Sequence, residues 1–436
     1  MRNPPWPRWG GLRLLSPHRS VTLSLRSAAP LALAALAFSL AACQDPSGVG
    51  LSLIGDETSD PNAQLVSAST LSFGDEQAVT GGFANGTGTP LQTRVLVGAM
   101  TDDRFGDVQA TAYVDARSIT QPADFGDRPL AQVQILLRRA ETYGDTLASL
   151  PVEVRQIDPS PAWSPDGLPP DTTLATGDLL TTATLSPQDT LVTIDLPQSY
   201  IAANTVVLRD SLDSLFEGFQ IRTASGFTPA GMTAGAVFGF NASQSSIRLI
   251  GADYDDDGET TRDTVDYPLV EVYTALARGD AMDTPGRMFL RGGASMPLAL
   301  DFDISAFENL PLASAKIRVP LDRSLLDGPM GYNRPLPQTV VLYSVLEDGT
   351  RTPILSQAVE PDATEIVFRD NNLSNQSFNT LLQSVLLGRF AITGFEIGVP
   401  NNPLDLGVLP VIVEDAVEGD LRRPRLSLVT IGGPPA

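Results

Sequence analysis

The 436 residues carry 51 acidic and 29 basic side chains, a formal charge of −22, and 42% hydrophobic content. So acidic a chain repels nucleic-acid phosphates and anionic lipid head groups, so neither is expected as a partner, while its apolar content suits a folded protein rather than a disordered one. One histidine, His18, and one cysteine, Cys43, exclude an internal disulfide and any zinc centre built from several His and Cys ligands.

In chain order, residues 1–42 come first and read as a targeting segment. Arg2, Arg8, Arg13, Arg19 and Arg26 make a positive leader without an acid, and Ala28–Ala42 is an Ala/Leu run broken only by Pro30 and Ser39. That run is shorter than the roughly 20 apolar residues of a spanning helix. It ends in Leu40-Ala41-Ala42-Cys43, which resembles a bacterial lipobox: small residues precede the cut, and the cysteine thiol is acylated to become the new N-terminus. An ordinary secretory signal ending near a cysteine is the alternative. The lipobox is favoured because the chain's one cysteine stands where such a signal requires it. Cleavage before Cys43 would remove 42 of the 436 residues, leaving 394, and take away five arginines, moving the charge from −22 to −27. It would also discard His18 and commit the only thiol, so histidine general-base and cysteine-nucleophile chemistry are not expected of the mature chain. Gln44 after the cysteine, rather than Asp, resembles lipoproteins sent to the outer membrane. The expected partner at this end is therefore the membrane, reached through the N-terminal lipid on either face of the outer membrane.

Residues 43–62, rich in Gly, Ser, Asp and Pro, read as a tether. Beyond them period-2 alternation dominates, as in Gln64–Ser69, Gln132–Leu137, Val152–Ile157 and Leu191–Leu196. Alternation over four to eight residues bounded by Gly, Pro and Asp predicts half-buried strands. Helical periodicity is confined to two short candidates, Arg209–Phe216 and Asn379–Leu387. Lys316 is the only lysine, a bias that a GC-rich genome or a salt-adapted acidic surface would each produce.

An internal repeat is expected from the order of these elements. Pro129-Leu130-Ala131 and Pro311-Leu312-Ala313 each open a strand, and Gly218-Phe219-Gln220-Ile221 answers Gly394-Phe395-Glu396-Ile397. Between and after them, Val152–Ile157 aligns with Val340–Val345, Leu191–Leu196 with Glu365–Arg369, and Ser246–Ile250 with Arg425–Val429. The predicted fold is all-β: two tandem jelly-roll or Greek-key-like β-sandwich domains, 63–274 and 288–433, with the boundary in Ala275–Arg287.

Val95-Leu96-Val97-Gly98-Ala99-Met100-Thr101-Asp102-Asp103-Arg104-Phe105-Gly106 carries a Leu-Val-Gly strand, an acidic turn and Phe-Gly soon after the tether. It resembles a motif of the Bacteroidota lipoprotein family known as domain of unknown function 4270. Tyr143-Gly144-Asp145, followed by the Val152–Ile157 strand, is similar to a second feature of that family. The resemblance covers about residues 43–275 and implies an envelope location and a β-rich fold. It implies no activity. The second half resembles sandwich modules of secreted carbohydrate-active proteins, a likeness of fold alone.

Asp253, Asp255 and Asp257 alternate ahead of Gly258 as in the first half of a calcium loop, where alternate oxygens converge on the ion and glycine permits the turn. The twelfth position holds Thr264 instead of a bidentate Glu, with Asp263 one place early, so a solvated hairpin tip is the favoured alternative. Asp102, Asp103 and Asp107 surround the Phe-Gly turn and read as a binding cluster or, preferably, an acidic β-turn. Trp163, the one tryptophan past the leader, lies in the Pro-rich stretch 159–170, placed either to stack on a sugar ring or, preferably, to cap a sandwich end. No phosphate loop, dinucleotide fingerprint or Gly-x-Ser-x-Gly elbow is present. The expected role is a non-enzymatic binding or assembly component with a glycan or envelope-protein partner and no cofactor, calcium apart. A carboxylate-based glycan hydrolase, which needs only two suitably spaced acids, is the alternative.

Overall fold

A computed structural model describes residues 63–68, 70–73, 94–116, 125, 128–158, 174–210, 218–256, 259–292, 297–370, 378–400, 405–413 and 423–431. The leader, Cys43, the tether, Trp163 and Asp257 lie outside the described residues. The described chain is all-β, built of antiparallel sheets, as the alternating pattern predicts. Among these residues no helix is long and apolar enough to cross a membrane.

Two strands, β1 (Ala63–Ser67) and β2 (Thr70–Phe73), come first. There follow β3 (Arg94–Thr101), β4 (Val108–Ala116), β5 (Leu130–Asp145), β6 (Leu150–Ile157), β7 (Thr176–Leu185), β8 (Leu191–Asp195), helix α1 (Gln198–Asp210), β9 (Phe219–Thr223), β10 (Ala234–Gly251), the small hairpin β11 (Tyr254–Asp256) and β12 (Glu259–Thr261), and β13 (Thr264–Arg278). The remainder is β14 (Arg287–Arg291), β15 (Leu298–Asp301), β16 (Leu312–Pro320), β17 (Tyr332–Asn333), β18 (Thr339–Val345), β19 (Arg351–Ala358), β20 (Glu365–Arg369), helix α2 (Phe378–Leu386), β21 (Gly394–Gly398), β22 (Val408–Ile412) and β23 (Arg425–Thr430).

Pairing follows one order in both halves. In the first, β8 pairs β5 and β5 pairs β10; in the second, β20 pairs β16 and β16 pairs β23. The run β7-β6-β9-β4 has its counterpart in β19-β18-β21-β15. The slot beside these runs is filled from opposite ends of the chain. In the first half β13 pairs β10 with its first residues and β4 with its last. In the second the same two places go to β1, on β23, and β2, on β15. The segment expected to open the first domain at residue 63 thus completes the sheets of the second half. The stretch expected to lose its pattern from Ala275 instead carries β13 to Arg278, because Leu276 still packs into a core while Ala277 faces out.

Asn62–Ala436 forms one compact unit with two large cores. One gathers Val95, Val97, Val114, Ile135, Leu137, Phe219, Phe238 and Phe240; the other Leu300, Ile317, Phe368, Phe378, Phe395, Leu409 and Leu428. Strand β8 shows why the pattern works: Val192 and Ile194 are buried while Leu191, Thr193 and Asp195 are exposed. Each such buried Val or Ile contributes about 1.5–3 kcal/mol over leaving it in water. In α2, Phe378, Leu382 and Leu386 recur every fourth residue and are buried. The Asp370 carboxylate accepts from the N–H groups of Phe378 and Asn379, capping that helix's positive end. The first helix lies earlier than expected. It ends at Asp210, so it shares only two residues with the Arg209–Phe216 window, and 211–217 lie outside the described residues. Burial of Tyr200, Ile201 and Leu208 in the first core outweighs the weak helix preference of Thr205-Val206-Val207.

Candidate functional site

A cleft of about 630 Å³ opens where β3 and β13 end and β4 begins, beneath the loop that joins β9 to β10. The size is that of a small-ligand site. Thr101, Gln109, Ser225 and Thr228 supply hydrogen-bonding groups and Phe227 a half-buried ring, with Arg222 and Arg278 also in its walls. Glu153 on β6 fixes this wall: Oε1 accepts from the Ser225 N–H at 2.7 Å and Oε2 from Arg222 Nη2 at 3.0 Å. The hydrogen bond from the Ser225 N–H, reinforced by Arg222, holds the Glu153 carboxyl below its usual range. The Thr223 hydroxyl, on the same wall, is buried without a hydrogen-bond partner. Asp107 is the one carboxylate lining the cleft, and Glu153 behind it is spent on Arg222 and Ser225. Two acids flanking a bond, the minimum for glycoside hydrolysis, do not meet here. A smaller cleft of about 340 Å³ lies on the outer face of β16 and β20 between Lys316, Arg318 and Arg369, where Glu365 is paired with Arg318.

The Asp-Asp-Arg-Phe-Gly turn joins the two halves rather than forming an open acidic cluster. Asp102 is 7% exposed and Arg334, on the far half, 8%. Arg334 donates through Nε to Asp102 Oδ2 at 2.7 Å and through Nη2 to Asp102 Oδ1 at 3.0 Å and Asp103 Oδ1 at 2.6 Å. Asp102 Oδ1 also accepts from the N–H groups of Arg104 and Phe105, closing the turn. Burial would raise the Asp102 carboxyl, but the hydrogen bonds from Arg334 and those two amides outweigh it and hold it low. Arg104 donates to the carbonyls of Leu325 and Asp327, and Phe105 meets Phe289 edge to face at 5.1 Å. Gly106 has φ 78°, and a Cβ there would stand 2.4 Å from the Asp280 carbonyl oxygen. The Gly of Tyr143-Gly144-Asp145 is similar, with φ 77° and a would-be Cβ 2.6 Å from the Gly235 carbonyl. Both motifs therefore place glycine where the chain turns hard against a neighbouring backbone carbonyl. Asp107 alone of the three acids faces the cleft.

The acidic stretch forms the hairpin β11–β12. Asp253 is held by Arg262, while Asp263 is held by Arg128 and accepts from the Tyr254 hydroxyl. Asp255 is exposed. Among the described residues no three His, Cys, Asp or Glu side chains converge as a metal site. Arg334, Glu153 and Phe227 are the site residues that sequence reasoning missed. Only the out-of-phase charge of Glu153 within an otherwise buried strand, where Val152 and Val154 flank it, could have marked one of them. Comparison with known proteins adds no relative: no family model, no curated protein and no solved structure matches this chain.

Proposed function

We propose that this chain is a lipid-anchored component of the bacterial cell envelope, held at the outer membrane through Cys43, that binds its partner and does not transform it. The observation that carries the binding reading is the cleft under the β9–β10 loop: hydroxyls, an amide, the two arginines Arg222 and Arg278 and the Phe227 ring, with a single available carboxylate. An aromatic face beside hydrogen-bonding groups suits a pyranose ring, whose C–H face packs on the aromatic while its hydroxyls reach the polar wall. The proposed partner is therefore a glycan of the envelope. The family resemblance of residues 43–275 agrees with an envelope role and adds no activity.

Affinity electrophoresis against a panel of polysaccharides tests this reading. Retardation without release of reducing sugar, lost in Phe227→Ala, supports it; released sugar would establish the hydrolase instead, and no retardation on any polymer would remove the glycan. A protein partner has its own supporting observation. Met330, Met232 and Leu147, 98%, 81% and 72% exposed, sit on loops tied together at Thr101 and Gly331. Soft apolar side chains of this kind adapt to a protein surface. Cross-linking in intact cells through a photo-reactive residue at position 330 would detect that partner. Metabolic labelling with palmitate, lost in Cys43→Ala, tests the anchor.

A further inference from the structure

The sheet β1-β23-β16-β20 gathers cations on its outer face, in a chain that is otherwise strongly acidic. Ile317, Val319, Phe368, Leu426 and Leu428 point inward and fill the second core, so the residues alternating with them face out. The register then sets Lys316 directly across from Arg369 and Arg318 directly across from Arg425. Side chains opposed in this way have Cβ atoms about 4.5–5.5 Å apart, and like charges so placed destabilise a sheet. Two such pairs lie next to one another here, and one of them holds the chain's only lysine. Arg318 donates to Glu365 at 2.7 Å, and Glu360, exposed, is the one other acid lining the cleft beside these cations. Arg369 is exposed and has no hydrogen bond or ion pair among the described residues. Sheet stability alone does not account for cations stacked against cations in a chain with 51 acids to interleave.

We propose that this face binds an acidic saccharide, its sugar rings carrying carboxylate or sulfate groups, across Lys316, Arg318, Arg369 and Arg425. Guanidinium groups take either oxyanion in a fork, and the ammonium adds a point charge. The cleft between Lys316, Arg318 and Arg369 has about 340 Å³, more than a lone inorganic ion fills, and Gln357 and Glu360 offer partners for hydroxyls. The Arg318–Arg425 pair carries the positive charge one strand further, so the ligand it suits repeats its charge along its length. Charges more than about 10 Å away are largely screened at ~0.1 M salt. A short sugar chain seated here therefore escapes most of the molecule's negative field, which an anionic bilayer or a nucleic acid meets in full. The site shares no residue with the cleft under the β9–β10 loop and does not depend on it.

The test is calorimetric titration of the purified protein with trigalacturonate, with a sulfated heparin disaccharide and with uncharged maltotriose, in low and in high salt. At least one acidic sugar should bind, more weakly in high salt, and maltotriose should not; which acidic sugar binds tells carboxylate from sulfate. Lys316→Gln with Arg369→Gln should weaken that binding by about tenfold or more. Arg248→Gln with Arg262→Gln removes the same charge from exposed ion pairs of the first half and should leave binding within about twofold. Phe227→Ala should leave it unchanged, so this site and the cleft under the β9–β10 loop stand or fall separately. Should the Lys316/Arg369 double variant fold poorly, Arg369→Gln alone, at an exposed edge position, should still weaken binding about threefold. Binding of neither acidic sugar, equal binding of maltotriose, or equal losses in the two double variants would overturn the proposal. So would tighter binding of oligoglutamate or of phosphatidylglycerol vesicles, which would make the face a peptide or lipid site.

Discussion

Replacing Arg334 by Ala should be the most damaging single change at the joint between the halves. The Arg334 and Asp102 side chains are both 3% exposed, so solvent screening does little to soften the loss. Removing one partner of such a pair leaves a buried, uncompensated carboxylate, a change that costs about 3–5 kcal/mol. The bond from Arg334 Nη1 to the Asp327 carbonyl goes as well, as do the guanidinium's contacts over Tyr332 and Phe105, at 5.1 and 5.5 Å. Asp102→Asn keeps an acceptor for the Arg104 and Phe105 amides, so the double variant should recover part of the loss and give a coupling of about 2–3 kcal/mol. Urea unfolding followed by both tryptophan-independent circular dichroism and hydrogen exchange would measure this. With the joint weakened, the two cores should melt apart, turning one transition into two. A loss below about 1 kcal/mol, with a single unchanged transition, would refute the view that this ion pair joins the halves.

Other consequences can be checked with simple variants and buffers. Gly106→Ala should destabilise by at least about 2 kcal/mol in thermal melts, since the left-handed φ and a 2.4 Å clash with the Asp280 carbonyl combine. Asp102 and Asp322 have depressed carboxyl pKa values, so each contributes stability that is complete above its ordinary unfolded value near 4 and is lost as pH falls through the lower folded value. Stability measured from pH 6 downward should hold to about pH 4 and then decline, and the decline should shrink in Asp102→Asn. Calorimetric titration with millimolar calcium should give no binding heat, because Arg262 and Arg128 already occupy Asp253 and Asp263; a saturable heat abolished by Asp255→Asn would restore the ion site.

Strands were readable where one face is buried, since alternation such as that of β8 states its own register. The order of elements, down to the Gly-Phe strand that follows each helix, was readable for the same reason. The helix ending at Asp210 was misplaced because its β-branched residues argue locally against a helix, and only its docking on the first core decides the matter. The destination of β1 and β2 could not be read at all. Nothing in Ala-Gln-Leu-Val-Ser says that its partner is the last strand of the chain. Asp102 looks like a surface acid for a like reason: the arginine that buries it stands 232 positions further on, while Asp103, which accepts from the same arginine, is exposed. The cleft escaped notice because it gathers unremarkable hydroxyls and one phenylalanine from four separate segments.

The placement of β1 has a bearing on how the molecule is made. Ala63–Ser67 is the first of the described strands to be made, yet its ladder is with Arg425–Val429, more than 350 positions further on. The first half can close as soon as β13 is present, whereas the second must wait for β23 and meet the entropic cost of closing the long stretch between β1 and β23 into a loop. Until then β1 and β2 are unpaired edges. The finished β1 is itself the outer strand of its sheet, so its hold on the fold rests on the five residue pairs that join Ala63–Ser67 to Arg425–Val429.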